Sequence, residues 1–419
     1  MIDIQTKETC CGCGACMQRC PVKCISMHED EEGFLYPLVD KTLCIDCGLC
    51  EKVCPIINQN KTRQPLEVYS AVNPNDNIRL QSSSGGIFSL LAEKMIDKGG
   101  VVFGASFNEH WEVVHSYAEC KEGLMPFRKS KYVQSDVGNT FVQAEQFLRL
   151  GRNVLFSGTP CQIAGLKRYL RREYDNLLTL DFICHGTPSP GVFRWYMSEE
   201  LKMFSRGLSF KQKLWKYKSL AEIPSVGHLA DSYGLKINRI DFRDKRTGWK
   251  NYSFSVNFSY KDDVETRQRE LTSSLYENSF LIGFLNDLYL RPCCHSCPFK
   301  KQKSGSDVTI GDFWGIGNYL SSLDETKGVS VVMANNAKGS KWIKECISDA
   351  HAFDYESVSK YNQALVGSPQ VPSPRNKFFN KCGCSFSLNV LKYSHLRLST
   401  KFKKLQSVFT DYFLLLFRK

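Results

Sequence analysis

The sequence predicts a mixed α/β fold, within the broader α+β class, with a small cysteine-bound domain at its N-terminus. Three observations point there. Two matched runs of cysteine fill residues 1–60. Short apolar runs of strand length alternate with segments of helical period from Val68 to Ile183. Alternating strand patterns return at Ile237–Phe242 and Tyr252–Tyr260. At 419 residues the chain is long enough for two or three domains with cores of their own, and 42% hydrophobic and 23% charged content is ordinary for a globular protein.

In the first segment Cys10, Cys13, Cys16 and Cys20-Pro21 are answered by Cys44, Cys47, Cys50 and Cys54-Pro55. Each run reads C-x2-C-x2-C-x3-C-P, the spacing with which bacterial ferredoxins hold 4Fe-4S clusters. In two-cluster ferredoxins the fourth cysteine crosses to the other cluster. That assigns Cys10, Cys13, Cys16 and Cys54 to one cluster, and Cys44, Cys47, Cys50 and Cys20 to the second. Structural zinc shares the C-x2-C spacing, but it gives no reason for two matched quartets each closed by Cys-Pro. Residues 1–60 therefore read as an electron-transfer domain of dicluster ferredoxin-like type. Cys11 and Cys24 fall outside the spacing and read as small buried residues beside the clusters. Cys24–Met27 and Phe34–Leu38 read as short strands flanking the acidic turn Glu29–Gly33, and a polar linker from Asn58 to Pro65 closes the domain.

The net charge of +12 is unevenly spread. Residues 1–60 carry nine Asp/Glu against five Lys/Arg, so the remainder is strongly basic. No nucleic-acid-binding motif accompanies that charge, and docking of acidic partners or anionic cofactors is expected instead. Met1-Ile2-Asp3-Ile4 opens neither a basic stretch nor an apolar run, and no apolar stretch approaches the 18 or so residues of a membrane span. With cysteines in cluster spacing, the expected compartment is the cytoplasm.

Residues 66–186 read as the first part of the larger domain. Val68–Val72, Val101–Ser106, Trp111–Tyr117, Asn153–Phe156 and Leu177–Ile183 are strand candidates. Ile87–Met95 and Phe141–Leu150 have helical period, and Gly158-Thr159-Pro160 turns into a basic helix from Cys161 through Arg172. In residues 187–365, Val192–Phe204 and Phe280–Leu290 read as helices, Lys211–Asp231 as polar loop, and Val308–Ile310 and Val329–Met333 as strands. Residues 366–419 form a basic tail. From Leu388 it mixes Lys392, Arg397, Lys401, Lys403 and Lys404 with Leu and Phe, a pattern for a helix on its own domain, a partner or a membrane surface.

Four more cysteines carry chemistry. Cys161 opens a helix, where the dipole favours a thiolate; Cys184 ends a strand; Cys294 and Cys297 form a further C-x2-C. Singly each is weak, since C-x2-C is also half a zinc site or a redox pair, and His295 lies within it. The turn Ser84-Gly85-Gly86 opening a helix offers backbone N–H groups to a phosphate, or is an ordinary helix cap.

The order of the pieces carries a resemblance. Ser82-Ser83-Ser84-Gly85-Gly86, Ser130-Lys131-Tyr132-Val133-Gln134-Ser135, Gly158-Thr159-Pro160-Cys161-Gln162, Asp181-Phe182-Ile183-Cys184-His185-Gly186, Phe242-Arg243-Asp244-Lys245, Cys294-His295-Ser296-Cys297 and Asp307-Val308-Thr309-Ile310-Gly311-Asp312-Phe313-Trp314 follow in sequence. This resembles the coenzyme F420 hydrogenase/dehydrogenase beta-subunit family, in bacterial members with an N-terminal dicluster ferredoxin fused on, over roughly residues 5–365. The resemblance implies a flavoprotein domain holding FAD and a third 4Fe-4S cluster on Cys161, Cys184, Cys294 and Cys297, with Cys293 competing for the place of Cys294. It implies flavin contacts at Ser84, Gly85, Gly86, Ser130, Lys131, Tyr132, Gly158 and Thr159: Lys131 for an anionic group, Tyr132 against the ring. Asp312-Phe313-Trp314 reads as a buried corner or a direct contact.

The expected function is electron relay between 4Fe-4S clusters and a flavin that reduces or oxidises a small substrate. The electrons come from, or go to, an electron-carrier protein or partner oxidoreductase. The fused ferredoxin departs from the plain beta subunit and favours an organic substrate over deazaflavin. The competing class is a non-catalytic electron-delivery subunit.

Overall fold

Backbone geometry shows why the two cysteine runs form one unit. The short helices Ala15–Arg19 and Leu49–Lys52 each start from a glycine in the left-handed region, Gly14 at φ 69° and Gly48 at φ 67°. Both runs therefore turn the same way, and the two helices touch. Strand β1 (Ile25–Glu29) pairs antiparallel with β2 (Leu35–Val39). Asp30 closes the acidic turn between them by accepting the N–H groups of Glu32 and Phe34 at 3.1 and 2.9 Å. The computed structural model describes residues 1–205, 217–261, 265–320, 324–381 and 384–395, so the basic tail from residue 396 and part of the polar segment 211–231 lie outside the described residues.

The larger domain is built on β3 (Glu67–Ala71), β4 (Val101–Phe107), β5 (Val113–Ala118), β6 (Val154–Gly158) and β7 (Leu177–Phe182), then β8 (Leu235–Asp244), β9 (Ser253–Lys261), β10 (Thr266–Ser274), β11 (Val308–Asp312), β12 (Ser330–Ala334) and β13 (Ala350–Phe353). One eight-stranded sheet has the order β13-β3-β12-β11-β7-β6-β4-β5. Its middle strands β11, β7, β6 and β4 run parallel, flanked by antiparallel pairs. Alternate residues of those strands face opposite helix layers, as the two-residue period requires. Val154, Phe156 and Leu177 pack with Phe141, Ile163 and Leu166 of helices Thr140–Arg149 and Pro160–Leu170. Leu155, Leu178 and Leu180 pack with Leu91, Met95 and Ile343 of helices Ile87–Asp97 and Ala337–Cys346. Each such fully buried side chain stabilises the fold by about 1.5–3 kcal/mol. This is the mixed α/β architecture the sequence predicts.

Strands β8, β9 and β10 make a second, antiparallel sheet. Its core joins Phe254, Val256 and Phe258 to the helices Pro190–Ser205, Ser279–Leu285 and Phe386–Tyr393. Thus residues of the tail up to His395 pack on the body, with Phe378, Phe386 and Val390 fully buried. Two local outcomes differ from expectation. A helix, Val226–Ser232, stands in the segment read as loop. The helix expected over Phe280–Leu290 stops at Leu285, because Asn286 returns its amide to the Ile282 carbonyl (2.9 Å) and Asp287 turns left-handed at φ 59°. Among the described residues no helix is long and apolar enough to cross a membrane.

The small domain is fixed to the body. Glu32 pairs both carboxylate oxygens with Arg375 at 2.6 Å, and Glu29 pairs with Arg194, so acidic side chains of the small domain meet arginines of the large one. The linker is pinned too: Asn60 donates to the Lys303 carbonyl and Arg63 to that of Gln302.

Candidate iron-sulfur and flavin sites

Three cavities gather the cysteines. One, of about 360 Å³, is lined by Cys10, Cys13, Cys16 and Cys54, with Cys11 at its side. A second, of about 330 Å³, is lined by Cys20, Cys44, Cys47 and Cys50, with Cys24. The third, of about 630 Å³, is lined by Cys161, Cys184, Cys294 and Cys297, together with Cys11 and Cys293. In each, four thiols surround a space, and among the described residues no three His, Cys, Asp or Glu converge closely enough to hold a single metal ion. Four thiols around one space form a donor set that fits a 4Fe-4S cluster.

The fold explains the third set. Parallel strands β6 and β7 are neighbours, and Cys161 and Cys184 follow their C-terminal ends. Thr159 begins the helix Pro160–Leu170 in a reciprocal cap with Gln162, and its hydroxyl lies 3.0 Å from Cys161 Sγ. Cys184 is held by its carbonyl, which accepts Lys300 Nζ at 2.7 Å. Cys294 meets the N–H and hydroxyl of Thr187 at 3.5 and 3.6 Å, two donors placed for a thiolate. The thiol of Cys293 beside it brings Cys294 down to about 6, whereas burial pushes Cys297 up to about 12 and Cys184 well above the usual thiol range. Of the two neighbours, Cys294 is the one that meets the Thr187 donors.

The residues named for a flavin lie in two groups. Gly86 starts the helix Ile87–Asp97 with no side-chain cap, leaving its first N–H groups without one. Gly85 sits so close to β3 and β12 that a Cβ would come within 2.7 Å of the Ala71 carbonyl and the Ser330 nitrogen. Ser84 donates to the Val329 carbonyl, and Ser130 reaches the same turn through Ser83 at 2.9 Å. Lys131 turns inward to the carbonyls of Pro126 and Arg128, and burial lowers it to about 7. Tyr132 stacks on Phe284 at 4.6 Å. Gly158 and Thr159 form the second group, at the end of β6 beside Cys161. A buried hydrogen-bond chain runs from Thr159 through Gln162 and Ser135 to His115.

Reading the sequence missed the cations around that turn. Arg243 and Lys245, inside the motif Phe242–Lys245, are buried with Arg79, and the half-buried Lys129 pairs with buried Asp241 beside them. Lys245 is held by the carbonyls of Arg79, Ser84 and Lys327, and Arg79 by those of Gly328 and Asp324. Burial, with Arg243 and Arg79 nearby, lowers Lys245 to about 7. Asp312 holds Arg243 at 2.5 Å and Trp249 at 2.9 Å, while Trp249 stacks on Trp314 at 4.9 Å. The corner Asp312-Phe313-Trp314 is thus a strut for Arg243, whose Nε is buried without a partner. With Lys131 these gather five basic side chains around Asp241 and Asp312, a cradle in which an anion would favour the charged forms of Lys131 and Lys245 that burial disfavours.

His115, stacked on Phe156, is buried and falls to about 4 because burial disfavours its charge. Unfolded, it titrates near 6.5. Its contribution to stability is whole above about 6.5 and is lost as pH falls toward about 4, by roughly 3 kcal/mol in all. Denaturant midpoints between pH 7 and 4.5 should therefore fall less steeply for His115→Gln than for the unsubstituted chain.

Comparison with known proteins bears on both domains. Residues 9–56 match the 4Fe-4S dicluster domain, and residues 151–206 and 220–359 match the C terminus of the coenzyme F420 hydrogenase/dehydrogenase beta subunit. No curated protein matches. Among solved structures, a chain of the F420-reducing [NiFe] hydrogenase complex from Methanosarcina barkeri is similar at 14% identity, covering 79% of this chain and 92% of that one with a TM-score of 0.44. The dicluster match carries two 4Fe-4S clusters in the N-terminal domain, which makes the chain an iron-sulfur electron-transfer protein. By these matches the chain joins an N-terminal 4Fe-4S dicluster domain to a domain similar to the C terminus of the coenzyme F420 hydrogenase/dehydrogenase beta subunit.

Proposed function

We propose that the chain is an iron-sulfur flavoprotein oxidoreductase of the cytoplasm. It relays electrons between an external carrier protein, its 4Fe-4S clusters and an FAD at which a small substrate is reduced or oxidised. One observation carries this reading: three cysteine quartets line three cavities, two in the small domain and one in the large domain that Cys11 of the small domain also lines. Cys161, Cys184, Cys294 and Cys297 would hold the third cluster. Ser84, Gly85, Gly86, Ser130, Lys131, Tyr132, Arg243 and Lys245 would hold the flavin, whose chemistry when bound is to exchange an electron pair with single electrons. The chain's own part is to neutralise the phosphates with buried cations, to keep water from the cradle and to direct hydrogen bonds at cluster sulfurs.

Substitution separates the flavin assignment from the clusters. Arg243→Gln should lower bound flavin at least tenfold, read as absorbance and released FAD, while iron per chain stays unchanged. Flavin retained in full would remove Arg243 from the site. A second reading, an electron-delivery subunit without a substrate of its own, draws on the outer cysteine set: Cys47 is exposed there, with Leu43 and Ile45 exposed at 57% and 62%. That surface suits docking of another protein. Reducing the isolated protein and offering small organic acceptors distinguishes the two. Turnover without a partner supports the enzyme, and flavin that stays reduced until an oxidoreductase partner is added supports the subunit.

A further inference from the structure

One cation stands apart from the cradle. Arg291 belongs to the larger domain and has no exposed surface, yet its guanidinium reaches into the small domain. Nη2 donates to Cys10 Sγ at 3.6 Å and to the Leu35 carbonyl at 3.0 Å. Nε goes to the Cys10 carbonyl at 2.8 Å and Nη1 to Gln134 Oε1 at 2.9 Å. Among the described residues none of these partners is a carboxylate. A fully buried charge is stable only with a counter-charge, and the one partner here that becomes anionic is the ligand sulfur of Cys10. The site is built for this approach. Gly12 is left-handed at φ 68°, and a Cβ there would lie 2.8 Å from Arg291 Nη1, so only glycine leaves room for the guanidinium against the cysteine loop. The backbone of Arg291 is fixed as well: its N–H donates to the Thr187 carbonyl at 3.0 Å, and its carbonyl accepts the Cys294 N–H at 2.8 Å.

We propose that Arg291 is the counter-charge of the first iron-sulfur cluster and its positioning residue, raising the reduction potential of that cluster relative to the second by acting through Cys10. The inference rests on the dicluster domain alone and holds with or without a third cluster or a flavin. On reduction a cluster takes one electron from an external reductant, with no bond made or broken, and becomes more negative by one charge. A buried positive charge and an N–H donor at a ligand sulfur both stabilise that reduced state. A guanidinium does not titrate in proteins, so the effect depends on the protonation of no thiol. The second cavity lacks such a group: no Lys or Arg is among the described residues that line it, and Asp46 is its charged side chain.

The test compares full-length, anaerobically prepared protein with its Arg291→Gln and Arg291→Lys variants, each first assayed for iron. At equal iron, redox titration with dithionite followed by electron paramagnetic resonance should show one ferredoxin-type cluster lowered in the Gln variant. The expected change is about tenfold in its reduced-to-oxidised ratio, or about 59 mV for one electron. The other ferredoxin-type cluster should move far less, and Lys, which keeps the charge, should recover at least half the change. Unmoved potentials, equal shifts of both clusters, or a Lys variant that falls as far as Gln overturns the inference. If the Gln variant loses iron, the unsubstituted protein decides, prepared with arginine isotopically labelled at its guanidinium nitrogens. Pulsed electron paramagnetic resonance of the reduced protein supports the inference if one ferredoxin-type signal couples to a labelled nitrogen, and signals without that coupling overturn it.

Discussion

Replacing Cys184 by serine should remove one cluster and spare two. Iron should fall from about twelve to about eight per chain, with the ferredoxin-type signals unchanged and substrate turnover lost. Cys184 lies two residues past β7, its carbonyl is fixed by Lys300, and it lines the third cavity. The two spare thiols there, Cys11 and Cys293, belong to other places in the fold: Cys11 to the junction with the small domain, Cys293 beside Cys294. Cys294→Ser should therefore be milder than Cys184→Ser, because Cys293 is adjacent and lines the same cavity. Iron and acid-labile sulfide, measured per chain, report both outcomes. Equal losses for the two variants would show that Cys293 gives no rescue.

Arg291→Ala should loosen the joint between the domains. Arg291 has no exposed surface, and it donates to the Cys10 carbonyl at 2.8 Å, the Leu35 carbonyl at 3.0 Å and Gln134 at 2.9 Å. Its guanidinium also lies over the Tyr36 ring at 4.1 Å. Alanine would strand two buried carbonyls, each at about 1–3 kcal/mol, and lose the cation–π contact as well, for a total of roughly 4 kcal/mol. Lysine would recover only part, because one ammonium cannot reproduce the planar fork. The expected signs are a lower melting temperature and proteolytic cutting in the linker Asn58–Pro65, which the unsubstituted chain protects by tying Asn60 and Arg63 to the body. Unchanged proteolysis of the Ala variant would mean that the ion pairs of Glu29 and Glu32 hold the joint without it.

Local signals in the sequence were those whose physical cause is local. Spacing and Cys-Pro endings announce the doubled cysteine domain, since a curl round a cavity depends on a few successive residues. Strong apolar runs announce β4, β6 and β7, which are buried on both faces of the large sheet. Strand β10 gave no such signal: Thr266–Glu270 are exposed at an edge, so pairing with β9 rather than burial makes them a strand. β13 is short and equally unmarked. The cradle was hidden for another reason. Arg79, Lys129 and Lys245 come from three separate segments; carbonyls accept from Arg79 and Lys245 and the Asp241 carboxylate from Lys129, relations that no sequence pattern records. The motif Phe242–Lys245 was visible in sequence, while the role of its Arg and Lys appears only where they meet the Ser82–Gly86 turn. Cys11 likewise reads as a buried neighbour of one cluster; that it borders a second follows from the docking of the small domain.

The central claim is that one chain holds two ferredoxin-type clusters, a third cluster and a flavin. Protein purified under strict exclusion of oxygen, with iron, sulfide and flavin quantified per chain, tests it directly. The account predicts about twelve irons, about twelve sulfides and one FAD. About eight irons with no flavin would contradict the third cluster and the cradle together, leaving only the dicluster domain.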